Sequence, residues 1–77
     1  MPRVTLYAVA DCPRCEEARQ LLRGLGVAFA EIDVRAEPLA LHRAMVFSGT
    51  PALPAIDVDG VVVVGLDRER LEDLLAR

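Results

Sequence analysis

The dipeptide Asp59-Gly60, set between the apolar runs Ala55–Val58 and Val61–Val64, constrains the fold of this chain more than any other feature. Asp and Gly tolerate the positive φ angles of a tight type I′ turn, so the two runs read as strands of an antiparallel hairpin. Val4–Val9 is β-branched and apolar and reads as a further, buried strand. Pro13 suits the first turn of a helix, where its missing N–H has no partner to lose. Ala18, Leu21, Leu22 and Leu25 then recur at helical spacing, which predicts an amphipathic helix from about residue 13 to 25, ended by Gly24 and Gly26. Val27–Val34 alternates in part and reads as a second strand. Pro38 opens a helix over residues 38 to 48, closed by Ser48-Gly49, with Leu41, Ala44 and Met45 on one face. Asp67 is a good N-cap for the last helix. Leu66 and Leu71 are spaced as a hydrophobic staple, and Leu71, Leu74 and Leu75 supply the buried stripe.

The order is therefore βαβαββα. A strand–helix–strand crossover makes the first two strands parallel, the hairpin adds an antiparallel edge, and helices on both faces close a four-stranded mixed sheet. That is the thioredoxin fold in its minimal α/β form, four strands and three helices in one domain over residues 1–77, a length with no room for a second. Of the residues, 53% are hydrophobic, and the only aromatics are Tyr7, Phe29 and Phe47, so the core is expected to be aliphatic.

The formal charge of −3 is spread over interspersed acids and arginines, with no cationic block to neutralise a run of phosphates. Nucleic-acid binding is not expected. No stretch approaches the ~18 apolar residues of a membrane helix, and Val4–Ala10 has the length of a strand rather than of a leader's apolar region. The expectation is a cytoplasmic monomer that binds no membrane. In a reducing compartment, a chain with two cysteines uses them for catalysis or metal binding more often than as a structural staple.

Those two cysteines form Cys12-Pro13-Arg14-Cys15, at the junction of the first strand and the first helix. Cys12 precedes the helix and Cys15 lies one turn in, a spacing that can bring the Cα atoms within the ~4.4–6.8 Å a disulfide demands. Cys15 continues the stripe of Ala18 and Leu22 toward the sheet and is expected to be buried. Cys12 sits where unpaired N–H groups and the positive end of the helix dipole favour an anion. Thiolates so placed have pKa values of ~3.5–7.5, against about 8.5 for a free thiol. Cys12 is thus the expected attacking sulfur and Cys15 the resolving one. Arg14 adds a positive charge nearby, and Asp11 opposes it if its carboxylate points at the sulfur; the sequence leaves that balance open.

Metal binding is the rival reading. Tetrahedral zinc needs four ligands, yet His42 is the single histidine and there is no third thiol. Zinc would require two copies sharing their pairs, and Cu(I) is the other candidate ion. His42 reads more simply as a solvated helix residue and Glu16-Glu17 as exposed helix surface, so no metal ligand is assigned.

Tyr7 on the first strand, the CPRC motif, Ser48-Gly49-Thr50-Pro51-Ala52-Leu53-Pro54, the Asp59-Gly60 hairpin and Val64-Gly65-Leu66-Asp67 occur in an order that resembles the glutaredoxin family over essentially the full length. The resemblance implies a disulfide reductase acting on protein or glutathione mixed disulfides, with no tightly bound cofactor and with glutathione as co-substrate. It implies that Pro54 matches the family's cis-proline facing the dithiol, leaving the Leu53 backbone free to pair with an extended substrate. An ordinary edge-strand proline is the plainer alternative, and Pro51 is the rival for a cis bond. Pro13, Arg14, Leu53, Pro54, Gly65 and Asp67 become the substrate-binding candidates. Arg14 would hold the glycyl carboxylate of glutathione, and Asp67 would meet its γ-glutamyl amine or simply cap the helix.

The chain departs from the family at three places. Val9 stands where many members have a Lys that pairs with a glutathione carboxylate. Arg14 stands where an aromatic residue precedes the second Cys, and Val64-Gly65 replaces a Gly-Gly pair. The glutaredoxin-like hydrogen donors to ribonucleotide reductase, recharged by thioredoxin reductase, share the size and the Ser-Gly-x-x-x-x-Pro segment. Glutathione and thioredoxin reductase therefore both stand as candidate electron sources.

Overall fold

The computed structural model describes residues 2–37, 39 and 53–76. Within them the chain runs β1 (Val4–Ala8), α1 (Pro13–Gly24), β2 (Ala30–Asp33), β3 (Ala55–Val58), β4 (Val61–Val64) and α2 (Arg68–Leu75). The strands lie in the order β2-β1-β3-β4. β1 pairs parallel with β2, setting Leu6 opposite Glu31 and Tyr7 opposite Ile32. It pairs antiparallel with β3, setting Leu6 opposite Ile56, and β3 turns back on β4 with Ile56 opposite Val63. This is the mixed sheet of the thioredoxin fold. Of the helix expected over residues 38 to 48, only residue 39 is among the described residues; His42, Met45 and the segment from Ser48 to Ala52 lie outside them.

The hairpin turn has the backbone its dipeptide anticipates, with φ of 50° at Asp59 and 92° at Gly60. Both central residues of a type I′ turn need positive φ, and an L side chain at Gly60 would be strained there. Asp59 also pins the chain start: the Arg3 N–H donates to Asp59 Oδ1 at 2.7 Å, and the Asp59 N–H donates to the Arg3 carbonyl at 3.0 Å.

Alternation along β1 puts Val4, Leu6 and Ala8 on one face. There they join Ile56, Val58 and Val63 in the main core, to which α1 brings Cys15, Ala18 and Leu22 and α2 brings Leu71 and Leu74. Tyr7, Val34 and Ala55 form a second, smaller cluster, with Ile32, Leu53 and Val62 packed around it. Cys15 thus belongs to the core as much as to the chemistry.

Two boundaries differ from the sequence expectation. β1 ends at Ala8, one residue early. β2 starts at Ala30 rather than Val27, because Val27 is taken up in closing α1: its N–H donates to the Leu22 carbonyl at 3.1 Å, while Gly26 N–H donates to the Arg23 carbonyl at 3.0 Å. That paired pattern is a Schellman cap. It needs a left-handed residue, and Gly26 supplies it with φ of 72°. Gly26 rather than Gly24 is therefore the helix terminator.

At α2, Asp67 is the N-cap, accepting the Arg70 N–H on Oδ1 at 3.1 Å. Leu66 packs against the core that contains Leu71, as a staple requires. Asp67→Ala is expected to cost about 1 kcal/mol in urea unfolding, whereas Asp67→Asn, which keeps an acceptor, should cost a few tenths. Equal losses in the two variants would show that the cap is not what holds this helix start.

Candidate active site

The loop from β1 to α1 bends at Asp11, whose φ is 57°, a left-handed conformation that Asp adopts more readily than most residues. The bend delivers Cys12 as the N-cap of α1, with extended backbone (φ −115°, ψ 107°), and Pro13 takes the first helical position. A capping residue ordinarily accepts the N–H two or three positions on through a side-chain oxygen. Here sulfur does so: Cys12 Sγ accepts the Cys15 N–H at 3.2 Å. The Cys12 carbonyl accepts the Glu16 N–H at 3.0 Å, which completes the first turn.

Both cysteines are free thiols, Cys12 partly exposed and Cys15 fully buried. The Cys12 thiol is pulled below its ordinary pKa, first by the hydrogen bond from the Cys15 thiol. The backbone N–H groups of Cys15 and Arg14 and the charge of Arg19 pull the same way, while burial opposes them. Cys15 is pushed up, chiefly by burial and then by sharing its proton with Cys12. The arrangement favours ionisation of one partly exposed sulfur and disfavours it at the buried sulfur behind it.

The sequence weighed Arg14 against Asp11 as the charges acting on the thiolate. The structure gives a different answer: the acting charge is Arg19, and Arg14 contributes through its backbone N–H. The Arg14 side chain reaches toward Gly65, where a Cβ would lie 3.8 Å from its Nη2. Gly65, at φ of 83°, donates its N–H to the Pro54 carbonyl at 2.8 Å. Pro54 is buried, and the Leu53–Pro54 peptide is cis. Arg14, Gly65 and Pro54 are thus successive neighbours leading away from the helix start. Leu53 is half-buried against both core clusters. Asp67 stands apart in role, with Oδ1 committed to its own helix cap.

Arg19 is the residue that sequence reasoning passed over. Its Nε and Nη2 donate to Glu31 Oε1 and Oε2 at 2.7 and 2.9 Å. Its Nη1 donates to Glu16 Oε2 at 2.9 Å, and Nη2 also reaches the Val9 carbonyl at 3.4 Å. The hydrogen bond from Arg19 holds the Glu31 carboxyl below the usual carboxylate range. Arg19 lines a shallow depression together with Asp11, Cys12, Pro13 and Glu16. The signal was present in the spacing: Cys12, Glu16 and Arg19 stand at i, i+4 and i+7, on one face of a helix.

Among the described residues no group of three or more His, Cys, Asp or Glu side chains is gathered as a metal site. Nor is any helix among them long and apolar enough to cross a membrane.

The glutaredoxin family model matches residues 4–63, from the start of β1 into β4. The chain belongs to the glutaredoxin family. A glutaredoxin from Pseudomonas aeruginosa is 36% identical over 67 residues, covering 87% of this chain and 80% of that protein. Among solved structures, the thioredoxin-like protein BC3987 matches with a TM-score of 0.83 at 30% identity, covering 94% of this chain and 99% of that one. NrdH-redoxin from Escherichia coli, a glutaredoxin-like protein with a thioredoxin-like activity profile, matches with a TM-score of 0.80 at 25% identity, covering 94% and 93%.

Family membership makes this the fold of a glutaredoxin-type thiol oxidoreductase carrying the pair Cys12 and Cys15. Where many glutaredoxins are expected to place a Lys, Val9 supplies no charge, and its side chain packs against both core clusters. Its carbonyl accepts from Arg19 at 3.4 Å.

Proposed function

We propose that the protein is a dithiol disulfide reductase that takes its electrons from glutathione. One observation carries the reading: Cys12 Sγ caps α1 while accepting the Cys15 N–H, and Cys15 is sealed beneath it. The Cys12 thiolate attacks one sulfur of a substrate disulfide; that S–S bond breaks, and the departing sulfur takes a proton. A mixed disulfide with Cys12 results. Cys15, losing its proton, then attacks Cys12 Sγ, releases the second substrate thiol and leaves the Cys12–Cys15 disulfide. Two electrons have passed to the substrate. Two glutathione molecules return them, the first forming a mixed disulfide with Cys12 and the second leaving as glutathione disulfide.

The cationic end of Arg14 beside Gly65 supports glutathione as the reductant, because a guanidinium pairs well with a small carboxylate. Asp67 is left as a helix cap, and Leu53 and Pro54 as the backbone platform for substrate. The reading places the protein in the cytoplasm, where glutathione is abundant. A second reading has its own support: Val9 in place of the expected Lys, together with the likeness to NrdH-redoxin, favours a ribonucleotide-reductase donor recharged by thioredoxin reductase.

Two coupled assays on wild type separate these. NADPH oxidation through glutathione and glutathione reductase, but not through thioredoxin reductase, is the expected result; the reverse pattern assigns the second reading. Arg14→Ala is expected to raise the KM for glutathione roughly tenfold while leaving kcat nearly unchanged, the effect of losing one charge-assisted hydrogen bond. An unchanged KM removes Arg14 from the glutathione site. Stoichiometric metal in untagged protein, lost in Cys12→Ser, with no turnover in either system would replace both readings with metal binding.

A further inference from the structure

The Arg19 guanidinium is held from three directions, by Glu31 on β2, by Glu16 one turn back on α1 and by the Val9 carbonyl at the exit of β1. Its side chain is only 14% exposed. A two-point bond to one carboxylate fixes the plane of a guanidinium as well as its position. Arg19 therefore cannot swing out to solvent, and its charge stays on the wall of the depression that also contains Cys12. Glu31 can reach it because it stands opposite Leu6 in the β1–β2 register, and Leu6 points into the core on the side that α1 covers.

We propose that Arg19 is a positioning residue for the Cys12 thiolate, and that Glu31 sets how much of the Arg19 charge the sulfur feels. The proposal deepens the disulfide-reductase reading and rests on it for any consequence in turnover. A fixed cation stabilises the anionic form of a nearby thiol, and a carboxylate bonded to that cation cancels part of its field. The charged groups that line the depression with the sulfur are Asp11 in the loop and Glu16 and Arg19 on α1; Glu31 on β2 is bonded to Arg19, and the Arg14 side chain is directed toward Gly65. Arg23 and Asp33 act on Glu31 in opposite senses. Glu31 has two effects that can be told apart: it holds the guanidinium in place, and it dilutes the guanidinium's charge.

The two effects predict opposite signs for two substitutions. Arg19→Gln removes the cation, so less Cys12 is ionised at a given pH. Glu31→Gln keeps an acceptor for the guanidinium but removes the negative charge, so more Cys12 is ionised. A purely structural ion pair would make both variants fail in the same direction.

The test is the pH dependence of iodoacetamide alkylation of the reduced full chain, with the modified cysteine located by mass spectrometry. Arg19→Gln is expected to raise the midpoint for Cys12 by about half a pH unit, slowing alkylation below the midpoint roughly threefold. Glu31→Gln is expected to lower the midpoint, Arg19→Lys to stay close to wild type, and the double Gln variant to follow Arg19→Gln. Shifts of the same sign in the two single variants, or no shift in either, overturn the proposal. Should Arg19→Gln not fold, Glu31→Gln decides alone, and an unmoved or raised midpoint there is fatal. The readout is ionisation rather than turnover. An inactive wild type would therefore sink the reductase reading and leave the alkylation result intact.

Discussion

Cys12→Ser is expected to lower disulfide turnover by on the order of 10³-fold or more with any reductant, because an alcohol in the same place is not ionised near neutral pH. The substitution isolates chemistry from folding. Serine is a preferred N-cap, so the side-chain acceptor that Cys12 Sγ now provides to the Cys15 N–H is replaced by an oxygen suited to the same bond. Urea unfolding of the reduced variant should therefore match wild type or exceed it slightly. A folded variant that still turns over a disulfide would end the assignment of Cys12 as nucleophile.

Cys15 separates a second step. Cys15→Ser leaves an attacking sulfur but nothing to release the mixed disulfide, so a protein substrate should remain covalently attached, as an intact-mass measurement would reveal. At most, turnover of glutathione mixed disulfides survives, because a second glutathione can do the releasing. Full dithiol activity in this variant contradicts the division of roles. The Cys15 thiol is also the strongest influence lowering the Cys12 pKa. A serine hydroxyl can still donate to the thiolate and an alanine cannot. Below the Cys12 midpoint, Cys15→Ala should consequently alkylate more slowly than Cys15→Ser. The sign follows from the direction of the shift: removing a group that lowers the pKa raises it and shrinks the thiolate fraction at a given acidic pH.

The parts of this molecule legible in sequence are those where one residue type has one physical reason to be present. Asp59-Gly60 demanded a turn with positive φ, and the turn has it at both residues. The helical spacing of Cys15, Ala18 and Leu22 placed one sulfur in the core and left the other at the helix start, and the burial follows that division. The boundaries that moved did so through contacts between elements. Val27 looks like a strand residue by type, yet its N–H closes α1 on Leu22, so β2 begins later. By sequence alone, Arg14 and Asp11 are the charges set against each other at the thiolate, with the balance left open, because both lie within two residues of Cys12. Adjacent residues on a helix point in different directions, and Arg14 points to Gly65. Arg19, a full turn beyond Cys15, faces Cys12, held there by a carboxylate on a different strand. Helical spacing could have suggested Arg19, but its pairing with Glu31 required the register of β1 against β2.

Leu22→Ala is expected to be the most damaging of the conservative substitutions for stability, at about 2–5 kcal/mol. Leu22 is fully buried in the cluster that also contains Leu6, Ile56 and Leu71, and its carbonyl anchors the cap at Val27. Truncation removes buried methyl groups and leaves a cavity that the surrounding sheet and helices can close only in part. A chain of 77 residues has a total stability of roughly 4–12 kcal/mol at ordinary per-residue values, so the loss is a large share of the whole. A 3 kcal/mol loss corresponds to a fall in Tm of roughly 12–24 °C for a domain of this size. Val61→Ala, on the rim of β4 where the side chain is 36% exposed, is the control and should stay within about 1 kcal/mol. The Cys12 alkylation midpoint should barely move in Leu22→Ala below its melting range, because that thiolate is held by the first turn of α1 and Leu22 lies two turns further on. A cost under about 1 kcal/mol in urea would mean that the stripe of α1 is not seated in the core. A midpoint shifted as far as in Arg19→Gln would mean that packing, rather than the helix start and its local charges, sets the reactivity of the sulfur.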